Sequence, residues 1–119
     1  MDQHALARKV DELAAGDVAV AREFIRILTD TNRTTLATLR EALHAGAWSE
    51  AASAAHRING SARLIGFRRL VEQTAQMESA AAAGDATRAA ALIASVEADV
   101  ERLDTWLANL HNADGSPRV

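Results

Sequence analysis

The chain of 119 residues has no cysteine, one proline and few aromatic side chains, which make up 3% of the sequence. The absence of cysteine excludes disulfides, thiolate nucleophiles and cysteine-based metal sites, and it fits a reducing compartment. No run of about eighteen apolar residues occurs, so no segment is expected to span a membrane. The amino terminus also lacks the pattern of a secretory signal. These absences predict one cytoplasmic domain with no membrane contact of its own.

Positive charge is not in excess either. Thirteen Lys and Arg residues stand against sixteen Asp and Glu residues, which gives a formal net charge of −3. This balance argues against a general nucleic-acid-binding protein. Arg68 and Arg69 are adjacent, but only Phe67 is near them in the sequence to stack on a base. We therefore expect no nucleic-acid partner.

Alanine and leucine dominate what is present, and hydrophobic residues reach 49% of the chain. They recur every three or four positions, which is the period of an amphipathic helix. Glycines interrupt the helical stretches at Gly16, Gly46, Gly66 and Gly84. We predict an all-α fold, an antiparallel up-and-down four-helix bundle with a short extra N-terminal helix. The bundle is expected over residues 1–111, followed by a disordered tail at 112–119.

The stretch AAHRINGSARLIG, residues 54–66, lies in the predicted third helix, which we expect from about Ser49 to Ile65. At about 100° per residue, His56 points roughly 150° away from the apolar stripe of this helix. Gly60 follows one turn later on the same face, although glycine costs about 0.5–1 kcal/mol against alanine in a helix. The pattern predicts an exposed imidazole in a clearing that another molecule can approach.

Basic residues surround this histidine in the sequence. The interval between Glu50 and Glu72 contains no acidic residue and holds Arg57, Arg63, Arg68 and Arg69. Leu64 also falls on the outer side of the helix. A neutral imidazole is a nucleophile, and a phosphoryl group is a natural electrophile for it. The interval therefore predicts a surface for a negatively charged partner or a phosphoryl group.

Simpler interpretations of the same residues remain open. An exposed histidine and exposed arginines are common on a solvated helix face, and a mid-helix glycine can serve close helix packing. Glu41 and His44 have the Glu-x-x-His spacing of di-iron bundles, but such a site needs two of these motifs and further carboxylates. We therefore expect no metal site. The sequence also has no Gly-rich phosphate-binding loop, so ATP binding is not expected.

The stretch AHRINGSARLIGFRRL resembles the signature of the histidine-containing phosphotransfer (HPt) domain. The matching positions are His56, Ile58, Gly60, Ser61, Ala62 and Gly66. The stretches on either side, FIRILTDTNRTTLATLREALHAGAWSEAASAAH and LVEQTAQMESAAAAGD, resemble the neighbouring helices of the family. The similarity is to the HPt domains at the C-termini of hybrid sensor histidine kinases.

The resemblance implies a phosphorelay intermediate without an ATP site, hence a carrier and not an enzyme. His56 would accept a phosphoryl group from a receiver-domain aspartate and pass it to another receiver. Gly60 would permit the approach of the receiver, with Arg57, Asn59, Arg63 and Leu64 on the contact surface. No cofactor is implied on this chain, because the Mg²⁺ of such transfers belongs to the receiver. The domain could also be linked in cis to a hybrid sensor kinase.

One position departs from the family pattern. Asn59 stands where the family usually has a lysine that helps to hold the phosphoryl charge. An asparagine donates hydrogen bonds but has no charge, so Arg57 or Arg63 would have to compensate. We expect Asn59→Lys to change the transfer and to leave the fold intact. The alternative function is a docking bundle that binds and regulates a receiver or kinase without being phosphorylated.

Overall fold

The structure is a computed structural model that describes the backbone of residues 1–113 and the side chains of residues 1–110. These residues form five helices and no strand. The helices are α1 (Gln3–Leu13), α2 (Val18–Ala45), α3 (Trp48–Ile65), α4 (Arg68–Ala82) and α5 (Ala86–Ala113). The prediction of an all-α bundle with a short N-terminal helix is confirmed.

Short turns join the helices, and their geometry follows from a few residues. Gly46 and Gly66 end α2 and α3 in the left-handed conformation, with φ of 67° and 78°. This region is strained for residues that carry a Cβ, which explains the glycines. Asp17 caps α2 by accepting hydrogen bonds from the backbone N–H groups of Ala19 and Val20. Each turn thus reverses the chain within a few residues.

Two predicted boundaries need correction. The third helix begins at Trp48 and not at Ser49, and its N-cap Ala47 makes no side-chain hydrogen bond. The fifth helix continues to Ala113, so it includes residues 112 and 113 of the predicted tail. Residues 114–119, the rest of that predicted tail, lie outside the described part of the chain.

The long helices pack on their neighbours in sequence, and α2 also packs on α5. Because short turns make consecutive helices antiparallel, this neighbour pattern is that of an up-and-down bundle. The molecule is elongated, with extents of 46 × 21 × 20 Å. The first helix packs on α2, α3 and α5, and the Gln3 Nε2 atom donates to the Trp106 carbonyl oxygen at 2.8 Å.

The core consists of the apolar stripes that the helical period predicted. In α3 this stripe is mostly alanine, and small side chains let α3 approach α4 closely. The buried residues of α3 are Ala51, Ala54, Ala55, Ile58, Asn59, Ala62 and Ile65. The opposite face of α3 is therefore exposed and does not contribute to the core.

Candidate functional site

His56 lies near the middle of α3, on the face opposite the alanine stripe. Its side chain is 71% exposed, so the outward orientation predicted from the helical period is observed. The position follows from the packing of α3, because Ala55 and Ile58 on either side of it turn into the core. The imidazole is thus available to another molecule.

A carboxylate from the neighbouring helix contacts this imidazole. The Nδ1 atom of His56 lies 3.2 Å from the Oε1 atom of Glu78 on α4. An ionised carboxylate only accepts hydrogen bonds, so the Nδ1 atom carries the proton in this contact. In the neutral ring with this proton, the lone pair is on the Nε2 atom. The contact therefore leaves Nε2 as the ring nitrogen that could act as a nucleophile.

Sequence reasoning did not assign a role to Glu78. The residue is 22 positions from His56 and comes close only because α4 runs back along α3. The stretch QMESAAAAGD contains this acid, but a role for it requires the register between the two helices. Comparing the outward-facing residues of α3 and α4 at similar distances from the turn at Gly66 could have identified Glu78.

Gly60 is exposed and lies one turn after His56. A Cβ atom built at this position would meet no other atom within 4 Å. Close helix packing therefore does not explain the glycine, since open space surrounds it. The clearing predicted beside His56 is present.

The four arginines between Glu50 and Glu72 differ in their contacts, because among the described side chains one is ion-paired and three are not. The Nε atom of Arg69 lies 3.2 Å from the Oδ2 atom of Asp99, whose side chain is 1% exposed on α5. Arg69 therefore ties α4 to α5, with its side chain still 60% exposed. Arg57, Arg63 and Arg68 are exposed, and none forms an ion pair with another residue among the side chains described.

Asn59 does not lie on the surface where the sequence analysis placed it. It is 6% exposed, and its Nδ2 atom donates to the Val71 carbonyl oxygen at 2.8 Å and the Thr74 Oγ1 atom at 3.2 Å. Its Oδ1 atom accepts from the Nε atom of Arg63 at 2.8 Å. The residue joins α3 to α4. The prediction that Asn59 lies on the contact surface is therefore wrong. The expectation that Asn59→Lys leaves the fold intact does not fit this burial.

The structure brings the other predicted contact residues to one stripe of α3. Gly60, Arg63 and Leu64 follow His56 along the outer face, and Leu64 is 46% exposed. Arg57 is exposed about a quarter of a turn from His56. Beyond the stripe, Arg63, Gly66, Arg68 and Val71 line a surface hollow of about 340 Å³.

The described part of the chain contains neither a candidate metal site nor a helix that could span a membrane. Among those residues no group of three His, Cys, Asp or Glu side chains is placed to hold a metal ion. Glu41 and His44 are both exposed on α2 and have no such third partner. None of the described helices is long and apolar enough to cross a membrane.

Comparison with known proteins identifies the family of this domain. The profile described as Hpt domain matches residues 23–112, which is most of the chain and includes His56. No curated protein and no solved structure matches. Hpt domains take part in phosphotransfer in two-component signalling, as phosphocarriers and not as ATP-binding kinases, and they interact with receiver domains. The chain belongs to the Hpt domain family.

Proposed function

We propose that this domain carries a phosphoryl group on His56 between two receiver domains. It accepts the group from the aspartate of one receiver and passes it to the aspartate of another. The observation that carries the proposal is the exposed imidazole beside Gly60, with its Nδ1 atom held by Glu78. A nucleophile with a defined free nitrogen and an open approach is what such a transfer needs.

The transfer balances without a further reactant. The lone pair of the His56 Nε2 atom attacks phosphorus, and an N–P bond forms as the P–O bond to the receiver aspartate breaks. The electron pair of that bond leaves on the aspartate carboxylate. The ring keeps its Nδ1 proton and becomes positively charged, and the Glu78 carboxylate at 3.2 Å stabilises this charge. The reverse steps deliver the group to the second receiver.

The remaining requirements fall to the partner. Phosphoryl transfer depends mainly on positioning and on neutralising charge, and this chain offers an open surface with basic side chains. The Mg²⁺ ion of the reaction is expected on the receiver, beside its aspartate. We expect the domain to act in the cytoplasm, free or joined in cis to a hybrid sensor histidine kinase.

The proposal is tested by transfer from a phosphorylated receiver domain to the wild type, to His56→Gln and to His44→Gln. The last variant is a matched control, because His44 is also an exposed histidine on a helix. We expect an acid-labile label on the wild type and on His44→Gln, and none on His56→Gln. A receiver that binds the wild type without labelling it would favour the docking bundle instead.

A further inference from the structure

A cation on this chain close to His56 would stabilise a phosphoryl group there. The group carries close to two negative charges at neutral pH, and the Glu78 carboxylate already lies against the imidazole. Two arginines are close to His56 along α3, namely Arg57 and Arg63. The geometry distinguishes between them. This inference rests on the proposed function, because it concerns the phosphorylated form of His56.

Arg63 points along the helix toward His56. It lies seven positions later, which is two turns on the same face. Helical side chains lean toward the N-terminus of their helix, and the hydrogen bond from the Arg63 Nε atom to the Asn59 Oδ1 atom shows this lean directly. The guanidinium is thereby held one turn back, on the side of His56, and Gly60 between the two residues has no side chain.

Arg57 is placed less well for this task. Adjacent residues on a helix point about 100° apart and do not face each other. By the same general rule, we expect the Arg57 side chain to lean toward the N-terminus and away from Gly60. No hydrogen bond or ion pair to another described side chain holds it. It is exposed without being aimed at the imidazole.

Asn59 fixes the position of Arg63. Both hydrogen-bond directions of its amide nitrogen are used on α4, by the Val71 carbonyl oxygen and the Thr74 Oγ1 atom. Thr74 is itself fixed, because its hydroxyl donates to the Leu70 carbonyl oxygen at 2.7 Å. The amide cannot turn without losing these bonds, so its oxygen stays directed at Arg63. A buried residue thus sets the place of an exposed charge.

We propose that Arg63 is the cation that stabilises the phosphoryl group on His56, and that Asn59 is a positioning residue that contacts no partner. The Nε atom of the guanidinium remains on Asn59, and its Nη donors are left for the phosphoryl oxygens. A planar, permanently charged donor group suits the oxygens of a phosphoryl group.

The test measures the phosphoryl group itself. The wild type, Arg63→Gln and Arg57→Gln are phosphorylated with phosphoramidate, a small donor that needs no receiver, and the phosphoryl pKa is followed by ³¹P NMR. A guanidinium close to the group favours its doubly charged form and lowers this pKa, so Arg63→Gln should raise it by roughly 0.5. Arg57→Gln should leave it nearly unchanged, and Arg63→Lys should restore part of the effect.

Asn59 is tested in the same way with Asn59→Leu, after its folding is checked by circular dichroism. If that variant does not fold, Thr74→Val loosens the same network. Either change should raise the phosphoryl pKa less than Arg63→Gln does. An equal pKa in the wild type and Arg63→Gln overturns the proposal even where receiver transfer is normal. Failure of the folded wild type to take the group from phosphoramidate or any receiver overturns both this proposal and the proposed function.

Discussion

At the scale of single residues, the approach to His56 depends on a side chain that is missing. Gly60 is helical and surrounded by open space, whereas Gly66 is held at a φ of 78°. The two glycines occur six residues apart and serve different purposes. One leaves room for a partner, and the other allows the chain to turn between α3 and α4. The same substitution at the two positions therefore has opposite effects on stability.

Gly60→Ala should raise the free energy of unfolding by about 0.5–1 kcal/mol, because alanine favours a helix and nothing opposes its methyl group. Gly66→Ala should lower it by about 1 kcal/mol, because the left-handed conformation is strained for alanine. Urea denaturation measures both changes. A loss of stability in Gly60→Ala would contradict the open space described beside it.

Gly60→Leu should leave the fold intact and slow transfer from a receiver, because its side chain enters the clearing beside His56. Ala91→Leu on α5 is the matched control, since it adds the same side chain to an exposed helix position elsewhere. Transfer rates of the two variants are compared with that of the wild type. Equal rates in all three proteins would show that the clearing is not used.

Asn32 is a polar residue on the buried face of α2, and it is 1% exposed. Neither its Nδ2 nor its Oδ1 atom has a hydrogen-bond partner among the described residues. A buried polar group without a partner costs about 1–3 kcal/mol, so Asn32→Leu should raise the free energy of unfolding by about 1 kcal/mol or more. Thermal and urea denaturation measure this. Lower stability in the variant would mean that the amide is satisfied in solution.

At the scale of helices, α3 and α4 form the unit that builds the site. His56 and Glu78 meet across this pair, and Asn59 binds both helices together. The sequence predicted the two helices and the turn at Gly66, because periodicity and helix stops are local signals. It did not predict these contacts, since they depend on the register of two packed helices. For the same reason, the burial of Asn59 between α3 and α4 was missed, because the resemblance placed it at the family's lysine position.

Glu78→Leu should slow transfer to His56 about five- to tenfold, because a hydrogen bond worth about 1 kcal/mol no longer holds the Nδ1 proton. Glu78→Gln keeps an oxygen that accepts this proton and should lose less. Single-turnover transfer from a phosphorylated receiver gives both rates. If the leucine and glutamine variants behaved alike, the hydrogen bond to His56 would not be the cause.

At the scale of the whole molecule, the site occupies one side of an elongated bundle. Apolar periodicity was enough to predict the bundle, because each amphipathic helix must bury one face against the others. Charged side chains were harder to place from the sequence. Arg69 looked like part of an exposed basic surface, but its partner Asp99 comes from another helix and is fully buried. Pairings of this kind decide how much of the basic interval remains for a partner.

Arg33 and Asp104 line a hollow of about 270 Å³ between α2 and α5. Ionisation of Asp104 in this hollow makes the stability of the fold depend on pH. Burial raises the pKa of the Asp104 carboxyl above its ordinary value of 3.8, although the charge of Arg33 opposes this. The folded chain therefore holds this proton more tightly than the unfolded chain. The stabilisation is complete at pH values below 3.8 and is lost as pH rises through the raised pKa.

Asp104→Asn should consequently raise the melting temperature at neutral pH, and the gain should vanish as the pH falls below 3.8. Asp30→Asn is the control, because Asp30 lines the same hollow but is exposed and pairs with Arg26 at 3.6 Å. Melting curves of the three proteins across this pH range provide the measurement. A gain in Asp104→Asn that persists in acid would contradict the assignment to ionisation.

The central claim, that the domain passes a phosphoryl group on, is tested most directly by following one label through both steps. The domain is loaded from a phosphorylated receiver, separated from it, and mixed with a second, unphosphorylated receiver. We predict that the label leaves His56 and appears on the second receiver, and that no label arrives when His56→Gln replaces the wild type. Label that stays on the wild-type domain with every receiver tested, or that reaches the second receiver through His56→Gln, would contradict the account.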